Sequence, residues 1–256
     1  MVVGLLYNYL KMKIGIIIQA RMGSTRFPGK VLKKIEDKSL LELQYRRLKN
    51  SRKANRIIIA TSISSLDDPI EELCKEINIP CYRGSEENVL ERYYQASIHY
   101  NLDVVIRSNG DCPFIDSREI DKLIDIWESN HSKYDYVTNI LEETFPLGMH
   151  IEIFSIAALK KALQGSTSKE EYEHVTPYIY KNPNKFRVLN IKNKDNLSSY
   201  RWTIDYPEDF KFVKEIYKRF GVHNSSFSMY DIIKLMKSEP NLALINDKFK
   251  KKQSLL

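Results

Sequence analysis

The chain has 256 residues, is 43% hydrophobic and 29% charged, and carries a net charge of +7. That composition belongs to an ordinary globular protein, and no apolar run approaches the length of a membrane span. Basic and acidic residues are interspersed, so the positive balance suits an anionic small molecule at least as well as nucleic acid, for which no binding motif is present.

Residues 1–11 are faintly apolar but lack a basic leader and a cleavage site, and are expected to be a disordered leader before the first strand. Cys74, Cys81 and Cys112 form no CxxC pair, so a reducing, cytoplasmic setting is the simplest expectation. Ile14–Gln19 is a short β-branched run that reads as a strand buried on both faces. The loop leaving it carries Arg21, Ser24, Arg26 and Lys30, with Gly23 and Gly29 allowing close backbone approach. Three cations on a flexible main chain at the carboxyl end of a central strand suit a polyphosphate. A Walker A loop is excluded: five residues separate Gly23 from Gly29, and Val31 follows Lys30 where Ser or Thr would be needed.

Strands are expected over Arg56–Thr61, Ile79–Arg83 and Asp103–Arg107, alternating with helices over Leu40–Asn50, Asp67–Ile77, a segment capped by Ser85 and running to Tyr100, and one capped by Asp116 and running to Asn130. This alternation predicts an α/β fold, with a mostly parallel sheet covered by helices. Ligands then bind beyond the carboxyl ends of the strands, where the loops 20–30, 83–92 and 108–116 fall. The second half is less regular. Strands are expected over Tyr134–Thr138, His150–Phe154, Phe186–Ile191 and Arg201–Ile204. Ser168 and Glu171 form a capping box, and helices are expected over Pro207–Phe220 and Ser228–Lys237. The expected organisation is one domain, 12–240, with a nucleotide half (12–138), an acceptor or dimerisation half (139–240) and a basic flexible tail (241–256).

Two carboxylates stand out. Asp111 follows the strand Asp103–Arg107; it can serve a tight turn or, at the ligand edge, a magnesium ion, which takes one or two carboxylates with phosphate oxygens and water. Asp205 follows the expected strand Arg201–Ile204. Among Asp205, Glu208 and Asp209 it is nearest the strand end, and so the one expected to point into the cleft while another caps the helix. Cys112 reads as a small buried residue.

QARMGSTRFPGKVL, YRGSEENVLERYYQA, NGDCPFID, EHVTPYIY and RWTIDYPEDF together resemble the SpsF-type cytidylyltransferases, relatives of the CMP-Kdo and CMP-acylneuraminate synthetases. The resemblance runs from Met12 to Phe220, with the motifs in family order. It implies a Rossmann-like (GT-A-like) nucleotidyltransferase fold and transfer of CMP from CTP to a sugar or related small acceptor, releasing pyrophosphate, for surface-glycan assembly. It implies that Arg21, Ser24, Arg26 and Lys30 surround the triphosphate, with Gln19, Ala20, Gly23 and Asn109 beside them. It places Gly84, Ser85, Glu86, Asn88 and Arg92 near base and ribose, and matches Asp111 and Asp205 to magnesium-binding aspartates. Arg21, Lys30, Asp111 and Asp205 are the implied catalytic set.

On the acceptor side, residues 145–152 resemble a substrate-facing segment, in which Glu152 faces either cleft or solvent. His174 is either structural or an acceptor ligand, and Arg201 pairs with an acidic acceptor or with Glu208. The family often dimerises, so a homodimer is open to this chain. Two other classes share the architecture. A nucleotide-sugar glycosyltransferase usually presents Asp-x-Asp, which is absent here; a non-catalytic nucleotide-binding protein has no need of four basic-loop residues and two aspartates.

Overall fold

The computed structural model describes residues 12–249, so the expected leader over 1–11 lies outside the described residues. In chain order the elements are β1 (Ile14–Gln19), β2 (Lys34–Ile35), β3 (Lys38–Ser39), α1 (Leu40–Leu48), β4 (Arg56–Ser62), α2 (Asp68–Glu76), β5 (Cys81–Gly84), α3 (Val89–His99), β6 (Val104–Asn109) and α4 (Ser117–Asn130). There follow β7 (Tyr136–Thr138), β8 (Glu152–Ser155), α5 (Ile156–Gly165), α6 (Lys169–His174), α7 (Pro177–Tyr180), β9 (Val188–Asn190), α8 (Pro207–Phe220), α9 (Met229–Ser238) and α10 (Asn241–Leu244).

Seven strands form one sheet in the order β5-β4-β1-β6-β8-β7-β9. β1 lies parallel between β4 and β6, whereas β8 runs antiparallel to both β6 and β7. The α/β fold with a mostly parallel sheet is therefore as the alternation predicts. Burial explains the β1 composition: Ile16 and Ile18 pack with Leu48, Ile120 and Trp127 on one face, and Ile17 packs with Val89, Tyr93 and Leu159 on the other. From β1 the chain builds outward to β4 and β5, then returns to place β6 on the opposite side. That reversal opens a crevice at the carboxyl ends of β1 and β6, where open α/β sheets bind ligands.

Four local expectations are corrected. Arg201–Ile204 forms no strand; Arg201 makes a lone bridge to Leu147, and the segment instead lays Trp202 and Ile204 into a third core with Phe114, Phe212 and Tyr217. The cap of α3 is Asn88, whose Oδ1 accepts from Glu91 N at 2.9 Å, while Ser85 sits one turn earlier and accepts from Asn88 N at 3.0 Å. The short hairpin β2–β3 was not expected, since strands of two residues carry no readable periodicity. Of the flexible tail expected over 241–256, residues 241–249 are folded, with Leu242 in the third core and Asn246 buried because this stretch has apolar residues to cover α8 and α9, and 250–256 lie outside the described residues. Among the described residues no helix is long and apolar enough to cross a membrane.

Candidate active site

The loop after β1 folds back over the crevice under two constraints. Asp67 is buried and accepts from Met22 N (2.7 Å) and from the Ser62 hydroxyl (2.6 Å), tying the loop to the end of β4. Gly29 adopts φ 67°, a conformation that side chains disfavour, and so reverses the chain to send Lys30 inward. Gly110, at the end of β6, donates its N–H to the Gln19 carbonyl at 2.8 Å; a Cβ there would meet that carbonyl oxygen at 3.0 Å. Strand ends and loop are thereby held in close approach.

Lys30 is the centre of the arrangement. It is only 8% exposed, and its ammonium donates to Asp111 Oδ2 at 2.7 Å, to the Ile204 carbonyl at 2.5 Å and to Asp205 Oδ1 at 3.3 Å. Asp111 and Asp205 are brought side by side because Ile204 N donates to the Asp111 carbonyl at 2.9 Å. Asp205 also binds Arg201 (2.9 Å) and Arg26 (2.6 Å). Burial pushes the Asp205 carboxyl up, but Lys30, Arg201 and Arg26 outweigh it and hold it below the usual carboxylate range. Asp209, fully buried, is the cap expected among the three acids: it accepts from Asp205 N and Tyr206 N at the start of α8 and pairs with Arg201. Arg201, expected to meet an acidic acceptor or Glu208, instead pairs with Asp205 and Asp209 and is not among the residues lining the cleft, while Glu208 binds Lys248.

Arg26, Lys30, Asp111 and Asp205 line a cleft of about 490 Å³, the size of a small-ligand site. Its walls include Gln19, Ala20, Arg21, Ser24, Arg26, Lys30, Arg92, Asn109, Asp111, His174 and Asp205 from the sequence reading, and Thr25, Arg107 and Glu173, to which that reading gave no role. A more open depression beside it is lined by Gly84, Ser85, Glu86 and Ile63, and shares Arg92. The residues expected around triphosphate and base thus divide between two adjoining hollows with Arg92 as the common wall. Gly23 and Asn88 line neither hollow, and the Asn88 side chain is taken up by capping α3.

Arg92 is 2% exposed, and its Nε and Nη1 have no hydrogen-bond partner. Burial pushes its pKa down, and the unused donors belong to the residue that walls both hollows. Glu152 faces neither cleft nor solvent. It sits opposite Arg107 in the antiparallel β6–β8 register and pairs with that guanidinium, while Tyr136 (2.6 Å) and Thr176 (2.5 Å) donate to its other oxygen. Burial pushes the Glu152 carboxyl up; the charge of Arg107 and the donated hydrogen bonds outweigh it, leaving it low. Arg107, held in this way, is the group that reaches the cleft.

His174 does line the cleft, at the end of α6, beside Glu173, which pairs with Arg21 across the opening at 2.9 Å. Val175 follows in a γ-turn, φ 72° and ψ −52°, with Thr176 N donating to the His174 carbonyl at 2.8 Å. That backbone is strained for a β-branched residue. Cys112 is buried with its thiol pushed up by burial, as befits a packing residue. Among the described residues no group of three or more His, Cys, Asp or Glu could hold a metal. The pair Asp111 and Asp205 nonetheless fits magnesium, which is satisfied by one or two carboxylates when phosphate oxygens and water complete its shell.

A family model described as Cytidylyltransferase matches residues 15–235. The chain is 34% identical over 234 residues to the spore coat polysaccharide biosynthesis protein SpsF of Bacillus subtilis, covering 89% of this chain and 95% of that protein. Its fold superposes with a TM-score of 0.87 on a cytidylyltransferase from Leptospira borgpetersenii, at 37% identity, covering 91% of this chain and 97% of that one. A CMP:2-keto-3-deoxy-manno-octonic acid synthetase solved with CTP superposes at 0.64, with 18% identity over 81% of this chain and 99% of that one, a likeness of fold alone.

Proposed function

The chain belongs to the cytidylyltransferase family, and from that premise we propose that it transfers CMP from CTP to a sugar or related small acceptor, with magnesium, in surface-polysaccharide assembly. The observation that carries the proposal is the convergence of Asp111, Asp205 and Lys30 within one hydrogen-bonded group at the mouth of a cationic cleft.

In the proposed reaction an acceptor oxygen attacks the α-phosphorus of CTP. The new P–O bond forms as the α–β anhydride bond breaks, pyrophosphate leaves with the electron pair, and the proton of the acceptor hydroxyl passes to solvent water. No protein nucleophile is needed. Arg21, Arg26 and Lys30 hold the triphosphate and neutralise charge on the leaving group, which is catalysis by position and electrostatics. Asp111 and Asp205 would hold magnesium, which when bound polarises the phosphate oxygens. Lys30, hydrogen-bonded to both, offsets the repulsion between those two carboxylates. Arg92 supplies unused donors toward the nucleotide. His174 and Glu173 line the side of the cleft left for the acceptor.

The test is pyrophosphate release with CTP, UTP, GTP or ATP, with and without magnesium, over a panel of sugars and sugar acids. Metal-dependent pyrophosphate release with CTP and one acceptor class supports the reading. Release of a nucleoside diphosphate, or binding of CTP without turnover on any acceptor, overturns it.

A further inference from the structure

Residues 246–249 lie beyond the span 15–235 that the family model matches, yet they reach the residues behind the site. Asn246 is 2% exposed, and its Nδ2 donates to Asp209 Oδ1 at 2.9 Å and to the Arg201 carbonyl at 3.1 Å. Asp209 and Arg201 are the two residues behind Asp205: Arg201 Nε binds Asp209 at 2.9 Å while its Nη2 reaches Asp205 at 2.9 Å. Three residues on, the Phe249 ring lies flat on Tyr206, with centroids 3.9 Å apart and planes 5° apart. Tyr206 in turn lies 5.1 Å from the Arg26 guanidinium, which pairs with Asp205. Lys248 fastens the segment to Glu208 at 2.5 Å.

A buried amide that donates to a carboxylate makes one of the stronger hydrogen bonds, and losing it leaves a buried charge short of a partner, so Asn246 holds Asp209 in place. Here both of its acceptors lead to one carboxylate. We propose that Asn246 and Phe249 are positioning residues: the C-terminal segment sets the direction of Asp205 through Asp209 and Arg201, and that of Arg26 through Tyr206. The inference rests on the reading of Asp205 and Arg26 as members of the nucleotide site.

The test uses the full chain with Asn246→Ala, Phe249→Ala and Phe249→Trp, and three readouts. These are kcat and KM for CTP-dependent pyrophosphate release, melting temperature, and nucleotide-free exchange of the Arg201 Nε–H followed by NMR. Asn246→Ala is expected to lower kcat about tenfold and to speed that exchange about tenfold, the worth of one hydrogen bond to a charged group. Phe249→Ala is expected to raise the KM for CTP about fivefold with little change in kcat, as loss of one stacked ring predicts, and Phe249→Trp to restore it. Variants that melt earlier but keep kcat, KM and exchange rate would overturn the proposal and leave the segment purely structural. Should the unaltered chain release no pyrophosphate from CTP, the functional reading fails by itself; the exchange rate still decides the positioning role, because it is read without nucleotide.

Discussion

A single ammonium organises this site. Lys30 binds two carboxylates and a carbonyl from two chain segments, one at Asp111 and one at 204–205, so its loss has a structural and a chemical consequence. Lys30→Met should lower kcat for pyrophosphate release by about 100-fold or more, the usual effect of removing one preorganised donor from a charged transition state. Asp111→Asn and Asp205→Asn should do the same while the chain stays folded; full activity in all three variants would refute the site. Glu152 gives a different result because it supports rather than touches ligand. Glu152→Gln leaves Arg107 uncompensated in the interior and should destabilise the fold by about 3–5 kcal/mol in urea denaturation. The pH dependence follows in sign. Glu152 and Asp205 titrate lower in the folded chain than unfolded, so their stabilisation is complete above the unfolded carboxylate values, about 4, and is lost as pH falls through the lower folded values. Melting temperature should be level through neutral pH and drop below about pH 4, with a shallower acid limb in Glu152→Gln.

At the scale of elements, α6 and its turn are the part built with strain. Val175 is fully buried at positive φ, between the cleft residues Glu173 and His174 and the Thr176 hydroxyl that binds Glu152. Backbone strain of this kind costs about 1–3 kcal/mol and persists where packing over-determines it. Val175→Gly relieves the strain but removes a buried side chain and frees the backbone, so the net change in stability should be small, within about 2 kcal/mol. The functional effect should be selective: the KM for acceptor rises while the KM for CTP stays level. Equal rises in both would show that α6 does not orient the acceptor side. For α3, loss of the Asn88 cap in Asn88→Ala should cost about 1 kcal/mol, read from the thermal transition.

For the whole molecule, both halves contribute strands to one sheet and residues to one cleft, so ligand binding should be felt globally. CTP with magnesium at about one hundred times its dissociation constant should add about 2.7 kcal/mol, a rise of several degrees in the melting temperature, and a chelator should abolish the metal-dependent part. Preference for another nucleotide would keep the fold and overturn the cytidylyl reading. Much of this was open to inspection in the residue order. Ile14–Gln19 announces a doubly buried strand by its isoleucine run, Lys30 lies in the loop that leaves it and Asp111 comes two residues after β6, so strand periodicity placed both beyond strand ends. Asp205 was read from a strand over Arg201–Ile204 that does not form, and only the family motifs pointed to it independently of that strand. Contacts between distant segments were not open to it. The Arg107–Glu152 pair depends on β6 meeting β8 antiparallel in one register, and a shift of one residue would turn Glu152 to the other face. Arg201 was expected to meet an acidic ligand or Glu208, yet packing of Trp202 and Ile204 into the third core carries it to Asp209. Asn246 looks like part of a solvated tail until α8 and α9 are present to receive it. The order of residues determined most of the strands and helices and placed Lys30 and Asp111 beyond strand ends, because those follow from local periodicity. Only the tertiary structure decided which charges are buried and with whom, because partners far apart in sequence are chosen by how the elements pack.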